Sequence, residues 1–131
     1  MMRRPLTIAA ALVACVGLAL TPAAGVAAKT KTVQVADDYF APTKVTVKKD
    51  AKVKFKWDPV NGNPHNVTMK KGPKGVKKSK ACTSGKITKC NKSGTGAIGI
   101  KFTPKFNKKG KYSFVCTVHP TTMKMKVEVK K

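Results

Sequence analysis

Residues 111–130, KYSFVCTVHPTTMKMKVEVK, decide the fold because two alternating segments are joined there by a short loop. Every second residue is apolar from Tyr112 to Cys116, and again from Met125 to Val129, where Lys126 and Glu128 alternate with the apolar residues. A period of two is typical of a strand with one buried face. The stretch therefore predicts two strands that pack over an apolar core.

Similar short segments recur upstream, at 32–36, 43–48, 53–57, 65–70 and 98–102. Gly, Pro and Asn separate them, and no segment has a helical period of useful length. About seven strands in about 100 residues predict an all-β domain, namely an antiparallel two-sheet β-sandwich. A barrel is the alternative.

The N-terminus has the three parts of a secretory signal: Arg3 and Arg4, an apolar run to Leu20, and small residues ending at Ala28. We predict a signal peptide at 1–28 and a single domain at 29–131, in an exported protein that is extracellular, periplasmic or associated with the cell envelope. Two alternatives stay open: Cys15 could be a lipid anchor, and the arginine pair could be a twin-arginine signal.

The predicted mature chain is strongly basic, with 26 lysines, no arginine and five acidic residues, which give a formal charge of +21. Such a charge suits acidic redox partners, anionic envelope polymers or a membrane surface. Nucleic acid is disfavoured, because the mature chain lacks arginine forks and has few aromatic residues for stacking.

Three cysteines remain after removal of the signal, an odd number for an exported chain. Cys82 and Cys90 lie eight residues apart, and a short-loop disulfide is their natural pairing. Cys116 is then free; the alternative is that it pairs with one of the other two. The lysine- and glycine-rich stretch 70–96 around the disulfide has no apolar period. We interpret it as a long solvated loop, with a docking surface as the alternative.

A thiol, an imidazole and a thioether follow one another in the loop as Cys116, His119 and Met123. Together with His65 upstream they form a His, Cys, His and weak Met set, which is a blue-copper ligand set. Taken singly, each has an ordinary interpretation as a surface histidine, an inert thiol or a core methionine. Met125 competes for the axial position, but its strand parity places it in the core.

Three motifs resemble the cupredoxins, in particular the plastocyanin and amicyanin group. They are YFAPTKVTVKKDAKVKFKW (39–57), PHNV (64–67) and GKYSFVCTVHPTTMKMKVEV (110–129). The resemblance implies a Greek-key sandwich that shuttles one electron through one type I copper ion. It also implies His65, Cys116 and His119 as equatorial ligands and Met123 as the axial ligand. Asn66 and Thr117 would tie the two ligand segments together.

The function that we expect is that of a monomeric one-electron carrier between redox partner proteins, not of an enzyme. The chain has two histidines, too few for a further catalytic copper cluster, and its acidic residues show no acid and base pairing. A copper-binding or delivery protein of the envelope, without electron transfer, is the alternative.

Overall fold

The computed structural model describes residues 28–76 and 81–131, and within them the protein is built from strands. The predicted signal peptide, with Cys15, lies outside the described residues except for Ala28, and its cleavage stays a prediction. No helix in the described part is long and apolar enough to cross a membrane. The strands are β1 (Lys31–Ala36), β2 (Tyr39–Ala41), β3 (Lys44–Lys48), β4 (Val53–Trp57), β5 (Thr68–Lys71), β6 (Ser84–Lys86), β7 (Lys101–Lys105), β8 (Gly110–Val115) and β9 (Lys124–Lys130).

The strands form two sheets, with the orders β2-β1-β4-β7-β6 and β3-β9-β8-β5. The predicted two-sheet sandwich is therefore confirmed, but the sheets are mixed: β1 and β4, β3 and β9, and β6 and β7 pair in parallel. The strictly antiparallel pattern fails because the chain changes sheet between consecutive strands. After β2 it crosses to form β3 in the other sheet and returns as β4, which then runs beside β1 in the same direction.

The core lies between the sheets and is centred on aromatic rings from the strands β4, β7 and β8 and from the turn after β7. The Phe55 ring lies 5.3 Å from Phe102 and 5.8 Å from Phe114, measured between centroids. Phe106 meets Tyr112 edge-on at 5.0 Å. These rings are fully buried or nearly so, and truncating one such ring to Ala typically costs about 3–5 kcal/mol. The core holds the strand ends, and with them the loops of the site, in fixed positions.

In its described parts, 70–76 and 81–96, the stretch 70–96 is not the solvated loop that its composition suggests. Its segment Ser84–Lys86 forms β6 and pairs with β7, Ile87 is fully buried, and a disulfide joins Cys82 to Cys90 with 5.9 Å between their Cα atoms. One large apolar side chain and a cystine create no hydrophobic period, so the sequence pattern could not show that this segment packs against the sandwich. The stretch extends the first sheet by an edge strand.

The fourth predicted strand begins later than expected, at Thr68 instead of His65. His65 instead exchanges two backbone hydrogen bonds with Gly96, its amide donating at 3.0 Å and its carbonyl accepting at 3.1 Å. This isolated bridge holds the segment before β5 against the segment before β7. His65 is thereby fixed at the end of the sandwich.

Candidate metal centre

The structure brings His65, Cys116 and His119 together at one end of the sandwich. His65 precedes β5 and Cys116 follows β8. Because these two strands are antiparallel neighbours, the start of β5 and the end of β8 lie at the same end of the sheet. One nitrogen of each imidazole and the thiol sulfur lie within 4.8 Å of one another. A thiolate and two imidazoles are soft and borderline donors that suit copper.

The imidazole of His65 is fully buried and has one nitrogen without a partner. Its Nε2 lies 2.8 Å from Oδ1 of Asp37, whereas Nδ1 has no hydrogen-bond partner among the described residues. Because the carboxylate accepts from Nε2–H, the lone pair of the neutral ring lies on Nδ1. A buried acceptor without a partner is costly, and a metal ion at Nδ1 would remove that cost. The donor set and this nitrogen fit a copper ion.

The thiol of Cys116 is also fully buried, and it is the free cysteine of the described residues. The backbone N–H of Asn66 points at its sulfur with 3.4 Å between N and Sγ, and Nδ1 of His119 lies 3.9 Å from the same sulfur. These two contacts hold the sulfur in place between the segment of His65 and the ring of His119.

His119 is the partly exposed member, with 24% of its side chain accessible. Its Nε2 lies 3.1 Å from Oδ1 of Asp38, and its ring centroid is 5.0 Å from that of His65. Two consecutive aspartates of the β1–β2 turn therefore contact one imidazole each. Both imidazoles are held at Nε2, so both Nδ1 atoms are available to a metal.

The sequence prediction did not include Asp37 and Asp38. Their signal was an adjacent pair of acids at a strand end in a chain that is otherwise rich in lysine, but nothing in the sequence links this turn to His65. The amide of Gly62, the His65 side chain and the amide of Asn63 lower the pKa of Asp37 to about 2. The carboxylate of Asp37 is therefore ionised near neutral pH.

Backbone hydrogen bonds close the loop from Cys116 to Met123. The amide of Cys116 donates to the carbonyl of Met123 at 3.0 Å, and the amide of Met123 donates to the carbonyl of His119 at 2.9 Å. Met123 is fully buried just before β9, whereas Met125 lies within β9 opposite Phe114 in the core. Both methionines belong to the buried core, and the axial role of Met123 stays a prediction.

The side chain of Asn66 joins the segment of His65 to that of Cys116. Its Oδ1 accepts from the amide of Thr117 at 3.0 Å, and its Nδ2 donates to the hydroxyl oxygens of Thr117 at 2.7 Å and Thr95 at 3.0 Å. The predicted Asn66 and Thr117 contact is present. It connects the loops that carry the three candidate ligands and so resists displacement of one loop relative to the other.

A buried thiol with two imidazoles at the loop end of a β-sandwich defines the class of small blue-copper proteins. A family profile described as copper binding proteins, plastocyanin/azurin family, matches residues 27–130. The chain belongs to this family, and its cofactor is one type I copper ion.

Solved structures show the same fold. Amicyanin from Paracoccus versutus has 24% identity and a TM-score of 0.56, over 86% of this chain and 87% of that chain. A purple cupredoxin from Nitrosopumilus maritimus has 17% identity and a TM-score of 0.55, over 76% and 99%. A copper-containing nitrite reductase from Thermus scotoductus has 21% identity and a TM-score of 0.59, but the match spans 91% of this chain and only 25% of that enzyme. No curated protein matches the chain in sequence.

Proposed function

We propose that the protein carries single electrons between redox partners, with copper bound by Nδ1 of His65, Sγ of Cys116 and Nδ1 of His119, and with Met123 as the weak axial ligand. The buried Nδ1 of His65 is the observation that carries this proposal, because it faces the interior beside a buried thiol without any other partner in the described residues. Bound copper supplies a one-electron couple between its cuprous and cupric forms.

The hydrogen bonds around the candidate ligands favour electron transfer over a chemical reaction. Both imidazoles are held by carboxylates, the sulfur by a backbone amide, and the two ligand segments by Asn66. A site held this way rearranges little when its charge changes by one. With two histidines in the chain there is no second cluster for substrate, so we propose that the protein is not an enzyme.

His119 is the proposed exit of the electron. Its ring reaches the surface, whereas His65 and Cys116 are fully buried. Val118 beside it is 43% exposed, so a partner can dock over the ring edge on an apolar contact. We further propose that the protein is exported and that its charge of +21 attracts acidic redox partners. The same charge would let it associate with anionic envelope polymers.

The copper assignment is tested by the Cys116→Ser variant. The oxidised wild type should bind one copper and absorb strongly in the visible range through charge transfer from the thiolate, and the Ser variant should lose this band. The double variant Cys82→Ser/Cys90→Ser is the matched control and should keep the colour. A Ser variant that stays blue, or a wild type that takes up zinc but no redox-active copper, would contradict the assignment.

The alternative of copper delivery is tested by transfer of copper from the loaded protein to a small chelator. An electron carrier should retain copper for hours while exchanging electrons with a redox reagent within milliseconds to seconds. Rapid loss of copper with slow electron exchange would favour delivery instead.

A further inference from the structure

The described segments that meet at the candidate centre contain no lysine. Four segments meet there, which we name the copper pole: 36–43, 57–69, 93–100 and 115–123. In a chain with 26 lysines they contain none, and they contain three of the five acidic residues. Contacts of Asp37 with His65, of His65 with Gly96, and of Asn66 with Thr117 join all four segments.

The exposed large hydrophobic side chains of the described residues lie in these same four segments. They are Tyr39, Val60, Ile98 and Val118. The copper pole is thus apolar with a small negative charge, on a protein whose overall charge is strongly positive.

The opposite end of the sandwich has the reverse composition. This distal end consists of residues 29–31, 48–52, 105–111 and 130–131, which contain eleven lysines and one acidic residue. Backbone hydrogen bonds join these segments: Lys31 donates to Lys52, Lys49 to Lys130, and Asp50 to Phe106. The charge of the described residues is therefore distributed unevenly between the two ends of the sandwich.

A groove runs across the distal end between the two sheets. It has a cavity volume of about 540 Å³ and is lined by Lys29, Lys31, Lys48, Lys130 and Lys131, together with Thr46, Val47 and Ala51. Cleavage after Ala28, as predicted from the sequence, would add the amino group of Lys29 to this groove. The five lysine side chains around this groove by themselves create a strong positive potential.

We propose that this distal groove binds a flexible chain of carboxylates and so holds the protein with its copper pole directed away from the polymer. A concave site lined by separate ammonium groups suits a linear polyanion better than a flat bilayer, and the exposed hydrophobic side chains that could enter a bilayer lie at the other end. Lysine without arginine lacks the forked donors that grip a phosphate or a carboxylate bidentately, so each ammonium group meets one anionic group as a point charge, which suits a chain of singly charged carboxylates. The orienting role rests on the proposed electron exchange at the pole, whereas the binding itself does not.

The test uses the copper-loaded, reduced mature protein and poly-glutamate as the probe. Binding should weaken more than about tenfold between 50 and 200 mM salt, because the contact is ionic and screened. Backbone amide NMR shifts should move most around the groove and least at the copper pole. Shifts that are largest at the pole would overturn the proposal.

Two triple variants with the same change in net charge separate a site from a diffuse field. Lys31→Gln/Lys48→Gln/Lys130→Gln changes the groove, whereas Lys54→Gln/Lys56→Gln/Lys101→Gln changes exposed lysines on the outer face of the first sheet. The groove triple should weaken binding at least about fivefold more than the face triple. Equal weakening by the two triple variants would mean that binding depends only on net charge, and it would overturn the proposed binding site in the groove.

Two further probes decide the chemistry of the polymer. Vesicles of anionic lipid and polyphosphate, each at matched charge, should bind more weakly than poly-glutamate. Tighter binding to the vesicles would replace the polymer by a membrane, and tighter binding to polyphosphate would replace carboxylate by phosphate. Since binding is measured without electron transfer, its failure would leave the proposed redox function untouched.

Discussion

At the scale of single residues, the orientation of both imidazoles depends on two aspartates that precede the metal-binding segments by many residues. Asp37 and Asp38 accept from Nε2 of His65 and His119 at 2.8 and 3.1 Å. A carboxylate that accepts a hydrogen bond from Nε2 fixes the tautomer of the imidazole and makes Nδ1 a more basic ligand. It should therefore favour the cupric over the cuprous state.

Asp38→Asn tests this effect, with Asp50→Asn as the control. Both residues have a left-handed backbone, with φ of 67° and 69°, a conformation that Asn tolerates, and both changes remove one negative charge. Asp38→Asn should lower cupric affinity about tenfold. If cuprous affinity is unchanged, the potential rises by about 59 mV. A shift of equal size in the Asp50 variant would show that only net charge matters.

Met123 and Met125 are distinguished by a second pair of variants. Met123→Leu should keep copper and raise the reduction potential, because a weak axial thioether tunes the metal without being needed for its binding. Met125→Leu should change the potential little and lower stability by less than about 1.5 kcal/mol, as expected of a core substitution that conserves volume. Voltammetry and thermal unfolding measure the two effects; the reverse pattern would move the axial role to Met125.

At the scale of elements, the segment from Cys82 to Cys90 behaves as part of the sandwich. Ile87 is fully buried, and the amide of Ile87 donates to the carbonyl of Lys105 at 2.8 Å. The disulfide closes this short segment around β6, so the edge strand is restrained from both sides. An element of this kind stabilises the first sheet, and it contributes none of the candidate ligands.

Loss of the disulfide should therefore reduce stability without changing the centre. Cys82→Ser/Cys90→Ser should lower the free energy of unfolding by about 2–3 kcal/mol for so short a loop, and Ile87→Ala by about 2–5 kcal/mol. Chemical denaturation measures both changes, and the visible spectrum of the loaded protein should stay the same. Peptide mapping of the metal-free, alkylated protein should find Cys116 unlinked; a disulfide to Cys116 would contradict the assignment.

At the scale of the whole molecule, net charge and local charge at the electron exit have opposite signs. An acidic partner is attracted at long range by the +21 charge, but it must dock on a pole that has no lysine. At physiological salt this long-range attraction is screened over about 8 Å, so added salt weakens it. Electrostatic attraction of this kind acts mainly on the association rate.

Electron transfer to an acidic redox protein should therefore slow as salt increases, while the spectrum of the copper site stays unchanged. Thr121→Lys/Thr122→Lys, which places two charges on exposed positions of the copper pole, should speed this reaction at low salt and steepen its salt dependence. A basic redox partner serves as the comparison and should show the opposite trend. Flat salt dependences for both partners would remove any steering role for the lysines.

The sequence alone determined most of the strand segments, the two-sheet sandwich, the cystine and the candidate ligands of the loop from Cys116 to Met123, because each depends on short-range pattern: period two, cysteine spacing, or several donors within one loop. It missed β2 and β6, and it placed the starts of β5 and β7 too early. It could not determine the parallel pairing of β1 with β4, the docking of Ile87, or the contacts of Asp37 and Asp38 with the two histidines. These contacts depend on which segments, far apart in the sequence, the fold brings together. The separation of an apolar, lysine-free pole from a lysine-lined groove likewise exists only in the tertiary structure, because its parts are scattered along the whole chain and meet only when the two sheets close over the core.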